Sequence, residues 1–307
     1  MRLCALPRCR ILPLAGSTPV CSYEKGQMQA DPSPACSTML ARLFIDVPVT
    51  LAAWGYYIFA FLLFFAPFYG AAFFCPRRRQ AFQQLNHFYC QGLFALLRLI
   101  AHRQRWQIDT RLSSSKGAVI LCNHLSYLDP LLLMAAMRSC TTVVKARFFL
   151  FPIFGWVLKS AGYLPSSSEG RFTGLMLKQM EGLQNYLAEG GNLFIFPEGT
   201  RSHDGQPAPL QHRALKLARL TKAPLEVFRI DNTNVLFPPG RFLFCASAAN
   251  TIRVTAVGCI QPQDPLYQGP LTQLEEALTV LLKGKTPPTP ENSAFRHTGQ
   301  PSTQSAS

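Results

Sequence analysis

Charged side chains are scarce in this 307-residue chain. Asp, Glu, Lys and Arg make up 15% of it, against about 25% in an average soluble domain. Acidic residues are scarcer than basic ones. The chain has 16 Asp and Glu and 30 Lys and Arg, which give a formal net charge of +14. Such a chain suits anionic partners, either nucleic acid or an anionic membrane surface. No nucleic-acid-binding motif is present, so we expect membrane lipids and no nucleic acid as partners.

Metal and nucleophile motifs are missing as well. The 10 cysteines are scattered from Cys4 to Cys259 without a C-x-x-C pair, which disfavours both a zinc site and a disulfide framework. A reduced compartment is the simpler expectation, with Cys122 as a buried, inert thiol in an apolar run. The G-x-S-x-G elbow of serine hydrolases does not occur in the sequence either. We expect no metal and no resident cofactor.

One long segment has no charge at all. Residues 47–75 contain no Asp, Glu, Lys or Arg, and about 20 apolar residues are enough to cross a bilayer core. Pro67 could divide the segment into a re-entrant helical pair, and a buried core helix is the alternative reading. The basic string 77–79 follows at once, and it could equally dock anionic lipid head groups. Under the positive-inside tendency we expect a membrane protein whose later residues lie on the cytoplasmic side.

The rest of the chain alternates between strand-like and helix-like segments. Helices are predicted at 80–101, 130–137, 171–189, 210–221 and 271–282, and strands at 118–122, 141–145, 192–196, 225–230 and 252–257. This alternation predicts an α/β fold, a mixed sheet flanked by helices, with N-terminal membrane-associated helices.

Four regions follow from these patterns. They are an irregular leader over 1–38, a membrane-associated helical region over 39–104, an α/β domain over 105–284 and a disordered tail over 285–307.

A histidine and a carboxylate stand five positions apart directly after a predicted strand. Open α/β sheets place their sites in such loops. The neutral imidazole of His124 can accept a proton from an alcohol near pH 7, and Asp129 can hold its other ring nitrogen. Five positions turn about 140° on one helix, so His124 must lie in the turn before the helix. The alternative is a structural histidine, with Asp129 as the helix cap before Pro130 or in a capping box with Ser126.

A second polar string, Glu198 to Arg201, follows the strand predicted at 192–196. Gly199 allows a tight turn or a close approach to a ligand. Arg201 can grip a phosphate with its planar guanidinium, and Thr200 can add a hydroxyl and an N–H. The string therefore predicts a phosphate clamp. The alternative is a polar turn in which Glu198 and Arg201 pair with each other.

Together the two strings resemble one family. N-H-x-S-Y-x-D-P, from Asn123, and F-P-E-G-T-R-S, from Phe196, resemble the glycerolipid acyltransferases, typified by 1-acyl-glycerol-3-phosphate acyltransferases. The resemblance runs from about 117 to 260 and includes the stretch between Lys145 and Gly162. It implies transfer of a fatty acyl group from a thioester to a glycerol hydroxyl, without a covalent acyl-enzyme. The thioester donor would be acyl-CoA or acyl carrier protein.

The resemblance also assigns roles to residues. It implies that His124 is the general base and Asp129 its orienting partner. The acceptor-phosphate site would comprise Glu198, Gly199, Thr200 and Arg201. Region 105–284 would be the acyltransferase domain.

Three positions depart from the family pattern. Ser168 stands where a basic residue is usual, and Arg171, three residues on, is our substitute in the substrate-binding set. The block 225–229 lacks its usual proline, and Ala214 replaces a glycine. The first departure concerns the acceptor, and the other two concern the shape of the pocket.

The sequence thus predicts a membrane-bound O-acyltransferase of phospholipid biosynthesis. The acceptor that we predict is lysophosphatidate, and its acylation would give phosphatidate. Other acceptors are glycerol-3-phosphate and lyso-aminolipids. Two further classes remain open, a non-catalytic membrane lipid-binding protein and a hydrolase that uses the same histidine with water.

Overall fold

The computed structural model describes residues 42–166, 170–201 and 208–283. The predicted leader over 1–38, the predicted tail over 285–307 and Ser168 lie outside these described residues. The described residues all belong to one compact unit, Ser37–Ser307. Their centre is a sheet with helices packed on both faces, which confirms the α/β prediction.

The sheet has seven strands in the order β1-β7-β6-β2-β5-β3-β4. They are β1 (Gln104–Ile108), β2 (Val119–Cys122), β3 (Cys140–Val144), β4 (Leu164–Pro165), β5 (Asn192–Ile195), β6 (Leu225–Asp231) and β7 (Asn250–Ile260). Strands β6, β2, β5, β3 and β4 run parallel to one another. Strand β7 is antiparallel to β6 and parallel to β1, so the sheet is mixed.

The central strands are buried on both faces. Ile120 and Cys122 of β2 face one apolar cluster, and Val119 and Leu121 face the other, because successive side chains of a strand point to opposite sides. Burial on both faces explains why these segments are continuous apolar runs rather than alternating ones. Cys122 is buried, as predicted, and burial raises the pKa of its thiol.

Eleven helices are present among the described residues, besides two short 3₁₀ turns at Ala146–Leu150 and Gly170–Phe172. They are α1 (Phe44–Phe73), α2 (Arg78–Ile100), α3 (Thr110–Ser114), α4 (Leu128–Ala136), α5 (Pro152–Ser160), α6 (Thr173–Glu181), α7 (Leu183–Ala188), α8 (His212–Leu220), α9 (Thr233–Leu236), α10 (Pro265–Gln268) and α11 (Leu271–Lys283).

Helix α1 is long and apolar enough to cross a membrane, judged by its length and composition. The most apolar 18-residue window of this 30-residue helix has a mean hydropathy of 1.9, and only 17% of that window is buried. Low burial disagrees with the alternative of a core helix. Pro67 does not divide the segment into two helices. The helix widens to π geometry over Tyr56–Phe65, and such wide turns are one way in which a helix accommodates a missing N–H.

Helix α2 packs against the sheet domain. Leu93, Phe94 and Leu97 are buried in the same cluster as β2 and α4, so the helix predicted at 80–101 is present and its apolar face packs on the domain. The helix predicted over 171–189 is divided, with Gly182 between α6 and α7. Glycine is a weak helix former, and the sequence spacing alone did not reveal the break.

Candidate active site

The polar motifs meet at one edge of the sheet. His124 follows β2, Glu198 follows β5 after two residues, and Lys145 follows β3. These three strands are neighbours and run parallel, so their carboxyl ends lie at the same edge. This is where open α/β sheets hold their ligands, and it confirms that the two motifs come together.

His124 and Asp129 form a hydrogen-bonded pair. Nδ1 of His124 lies 2.9 Å from Oδ2 of Asp129, and the histidine side chain is 17% exposed whereas the carboxylate is fully buried. The imidazole also stacks on Phe196, with ring centroids 4.2 Å apart. With Nδ1–H donating to Asp129, Nε2 is left unprotonated and can accept a proton. Within the described residues Nε2 has no hydrogen-bond partner.

Asp129 reaches back over the turn, as the spacing required. Helix α4 begins at Leu128, so Asp129 lies in its first turn rather than at the cap. Its Oδ2 accepts hydrogen bonds from the backbone N–H groups of Leu125, at 2.6 Å, and Ser126, at 2.7 Å. The N–H of Ser126 is the one that a capping box satisfies. The carboxylate therefore shapes the turn and holds the imidazole at the same time.

Thr233 completes this group and was missed by the sequence reasoning. Its hydroxyl donates to the other carboxylate oxygen, Oδ1 of Asp129, at 2.5 Å, and its side chain is fully buried. Thr233 is the first residue of α9, directly after β6. No local pattern could have linked it to a residue 104 positions away. Both oxygens of Asp129 are thereby fixed, and with them the plane of the imidazole.

Asn123 explains how the chain leaves β2. Its side-chain amide donates to the carbonyl of Ile230 and its carbonyl accepts from the Ile230 N–H, each at 2.7 Å. The side chain thus replaces the next pair of backbone bonds between β2 and β6. The backbone is free to turn away at this point, which directs His124 out of the sheet.

Glu198 is buried between the two motif loops. It is 2% exposed, and its carboxylate accepts from the backbone N–H of His124 and of Ala208, both at 3.3 Å. Burial raises the pKa of Glu198 to about 7, against the effect of these two hydrogen bonds. Glu198 and Arg201 form no ion pair with each other, which disagrees with the reading of this string as a self-paired turn.

Arg201 lies flat on an aromatic ring from the first motif. Its Cζ is 3.3 Å from the centroid of the Tyr127 ring. Its Nη1 is shielded from solvent and has no hydrogen-bond partner within 42–166, 170–201 and 208–283. Guanidinium groups keep their N–H edges available for an anion when they stack in this way. Tyr127 was not singled out from the sequence, although it stands inside the motif.

Gly199 makes the turn that the sequence predicted. Its φ is +68°, a conformation that disfavours any residue with a side chain, and an added Cβ would force the Gln211 amide to move. Its N–H donates to the carbonyl of Phe196 at 3.0 Å. Thr200 is exposed on the same loop.

The remaining predicted residues are less fully described. Arg171 lies in the 3₁₀ turn Gly170–Phe172, and its side chain is not among the described ones, so its role stays a prediction. Ala214 packs against the apolar cluster beneath α8. Throughout the described ranges no three His, Cys, Asp or Glu side chains converge as metal ligands do. The expectation of no metal also stays a prediction.

Comparison with known sequences identifies a domain. The Acyltransferase family model matches residues 103–229. The chain is 31% identical over 129 residues to a chloroplastic 1-acyl-sn-glycerol-3-phosphate acyltransferase of Brassica napus, covering 42% of this chain and 37% of that protein. It is 32% identical over 129 residues to an Arabidopsis thaliana counterpart, covering 42% and 35%. The match thus spans little more than a third of these relatives' length.

Comparison with solved structures supports the fold. The 1-acyl-sn-glycerophosphate acyltransferase PlsC of Thermotoga maritima superposes with a TM-score of 0.62 at 19% identity. The match covers 79% of this chain and 95% of that one. Both the mixed sheet and the helices around it are therefore shared with a known α/β structure.

Proposed function

Residues 103–229 belong to the acyltransferase family, and on that premise we propose that this protein is a lysophospholipid O-acyltransferase. It moves a fatty acyl group from a thioester, acyl-CoA or acyl carrier protein, to the free hydroxyl of lysophosphatidate and gives phosphatidate. The observation that carries this proposal is the His124 imidazole. Its Nδ1 is held by Asp129 at 2.9 Å, and its Nε2 is open beside the loop that bears Arg201.

The proposed reaction needs one proton carrier. Nε2 of His124 takes the proton of the acceptor hydroxyl while its oxygen attacks the thioester carbonyl. The tetrahedral intermediate collapses, the C–S bond breaks, and the leaving thiolate recovers the proton from the imidazolium. Asp129 stabilises the imidazolium in between. The products are the ester and a free thiol, with no acyl group left on the protein.

Acceptor recognition is proposed to depend on Arg201. Its guanidinium is oriented by Tyr127 at 3.3 Å and has a shielded nitrogen without a partner. A planar donor of this kind suits a phosphate monoester. Thr200 and the backbone of Gly199 lie on the same loop. Glu198 supports this site, because it is buried and accepts a hydrogen bond from the backbone N–H of His124.

Location at a membrane is part of the proposal. Helix α1 is the apolar element, and Arg77, Arg78 and Arg79 follow its end. By the positive-inside tendency these cations, and the domain after them, are on the cytoplasmic side. The acceptor and the product are lipids, so attachment brings the site to its substrates.

The test is turnover by the purified full chain with defined substrates. Acyl-CoA and acyl carrier protein are each offered with lysophosphatidate, glycerol-3-phosphate or a lyso-aminolipid, and products are separated by mass. Phosphatidate formed by the native chain and lost in His124→Ala would support the proposal. Free fatty acid in place of ester would identify a hydrolase, and unchanged turnover in His124→Ala would refute the role of the base.

A further inference from the structure

A cavity of about 530 Å³ is lined by none of the candidate active-site residues. It opens between the end of α1, the start of α2, the end of α5 and helices α6 and α7. Tyr186 in its wall lies against Gly191, the residue before β5. The cavity is therefore at the amino end of the strand whose carboxyl end leads to Glu198, and it is separate from the site described above.

The lining of this cavity is strongly basic. Its charged members are Arg77, Arg78, Arg79, Lys159 and a single acid, Glu189. None of the four cations forms an ion pair with a carboxylate among the described residues. Gln179 and Asn185 add amide donors to the wall. Four cations against one carboxylate leave an excess of positive charge in this concave space, which attracts an anion.

Arg79 stacks on an aromatic ring, but two of its nitrogens have no hydrogen-bond partner among the described residues. Its Cζ lies 3.7 Å from the centroid of the Tyr186 ring. Its Nε and Nη2 are shielded from solvent and have no hydrogen-bond partner in the described part of the chain. Gly162 leaves room for it, because a Cβ there would lie 2.5 Å from Nε. Burial lowers the pKa of this guanidinium, and an anionic acceptor would offset that cost.

The position of the cavity relative to α1 indicates where the anion comes from. Phe73, the last residue of α1, lines the cavity, and the Cζ of Arg78 lies 5.1 Å from its ring centroid. The next residue, Phe74, is 84% exposed. Where an apolar helix ends in exposed aromatics followed by arginines, the surrounding layer is that of lipid head groups.

We propose that this cavity binds the phosphate of an anionic membrane phospholipid, as a second lipid site distinct from the acyl-transfer site. Arg79, Arg78 and Lys159, which line the cavity, supply the positive charge that holds the phosphate. The lipid's acyl chains lie beside Phe73 and the apolar surface of α1. The proposal rests on the membrane association proposed for α1 and is independent of acyl transfer.

The experiment is calorimetric titration of the detergent-solubilised full chain. The probes are dihexanoyl phosphatidylglycerol, dihexanoyl phosphatidylcholine, inorganic phosphate and CoA. The variants are Arg79→Gln and the double change Arg78→Gln with Lys159→Gln, since Arg78 and Lys159 are exposed and their loss leaves the Tyr186 contact intact. Arg105→Gln with Lys222→Gln is the matched control, because both are exposed, carry the same charge and do not line the cavity.

We expect the phosphatidylglycerol probe to bind more tightly than the phosphatidylcholine probe. The double change Arg78→Gln with Lys159→Gln should weaken the affinity for phosphatidylglycerol at least about tenfold. The control pair should change this affinity little. Equal weakening by both pairs would refute a specific site, because only net charge would then matter. Binding of CoA or inorganic phosphate as tight as that of the lipid, and lost in the same variants, would overturn the lipid assignment. The titration measures binding and needs no acyl transfer. Its outcome therefore tests the lipid site independently of the acyltransferase proposal.

Discussion

The backbone N–H of His124 donates to the carboxylate of Glu198 across 3.3 Å. This bond joins the loop after β2 to the loop after β5, which are 74 positions apart in sequence. The motifs are also linked by the stacking of the His124 imidazole on Phe196 and by the stacking of Arg201 on Tyr127. The acid in the second motif is therefore positioned to fix the base, while the arginine remains available to a ligand.

Asp129→Asn should nearly abolish turnover. An amide at this position accepts from backbone N–H groups with its oxygen but cannot stabilise the imidazolium, and its NH₂ favours the wrong histidine tautomer. We expect kcat to fall by about 10³-fold or more with a smaller change in KM. Steady-state kinetics with the best acceptor of the panel measure this. A variant with near-native kcat would show that Asp129 only shapes the turn.

Thr233→Val should act on both activity and stability. It removes the hydrogen bond to Oδ1 of Asp129 and leaves a buried carboxylate oxygen without a partner, which costs about 1–3 kcal/mol. The imidazole loses part of its support, so kcat should fall roughly ten- to a hundredfold. Thr233→Ser keeps the hydroxyl and is the matched control. If the Ser and Val variants lose kcat equally, packing rather than the hydrogen bond is responsible.

Stability should depend on pH through Glu198. Its pKa rises from the ordinary 4.5 to about 7 on folding, so the folded state holds a proton that the unfolded chain releases. The group's stabilising contribution is complete below pH 4.5 and is lost as the pH rises to about 7. The difference in unfolding free energy between the native chain and Glu198→Gln should shift by about 3 kcal/mol across this window and stay constant above it. Denaturant titrations at several pH values test this, and a flat difference would contradict the buried carboxyl.

Arg201→Lys should impair acceptor binding more than chemistry. Lysine keeps the charge but loses the planar fork and the stacking on Tyr127. We expect the KM for a phosphorylated acceptor to rise about tenfold or more, with a smaller change for an acceptor without a phosphate monoester. Tyr127→Phe keeps the ring and should behave as the native chain, whereas Tyr127→Leu should resemble Arg201→Lys. An equal rise in KM for both acceptors would contradict the proposed contact between Arg201 and the acceptor phosphate.

Labelling of Cys75 can show on which side of the membrane the C-terminal end of α1 lies. It is exposed two residues after α1 ends, where the basic string predicts the cytoplasmic face. A membrane-impermeant maleimide should label it in sealed inside-out vesicles and not in right-side-out ones. Because other cysteines react too, the signal is the labelling lost in Cys75→Ser. Loss seen only in right-side-out vesicles would reverse the orientation.

Local pattern was sufficient for the central strands and for the longest helices of this fold. The apolar runs after Gly117 and Gly191 are strands, and the uncharged segment 47–75 falls mostly within one long apolar helix. Several short elements were not predicted. Gly182 interrupts a helix that was predicted as continuous. The two edge strands β1 and β4 and the short helices α3, α5, α9 and α10 were missed. These are weak signals, because a single glycine and a short strand or helix depend on their neighbours for their conformation.

The candidate residues could be found from the sequence, because His124, Asp129 and Arg201 belong to polar strings that follow predicted strands. Which residues surround them depends on the tertiary structure. Thr233 reaches Asp129 because β6 lies next to β2, and Glu198 is buried because β5 lies on the other side. Strand order is set by packing between distant segments, which no local spacing encodes. The basic cavity likewise exists because α1, α2, α5 and α7 converge, so the sequence could indicate a basic cluster beside the membrane but not a cavity.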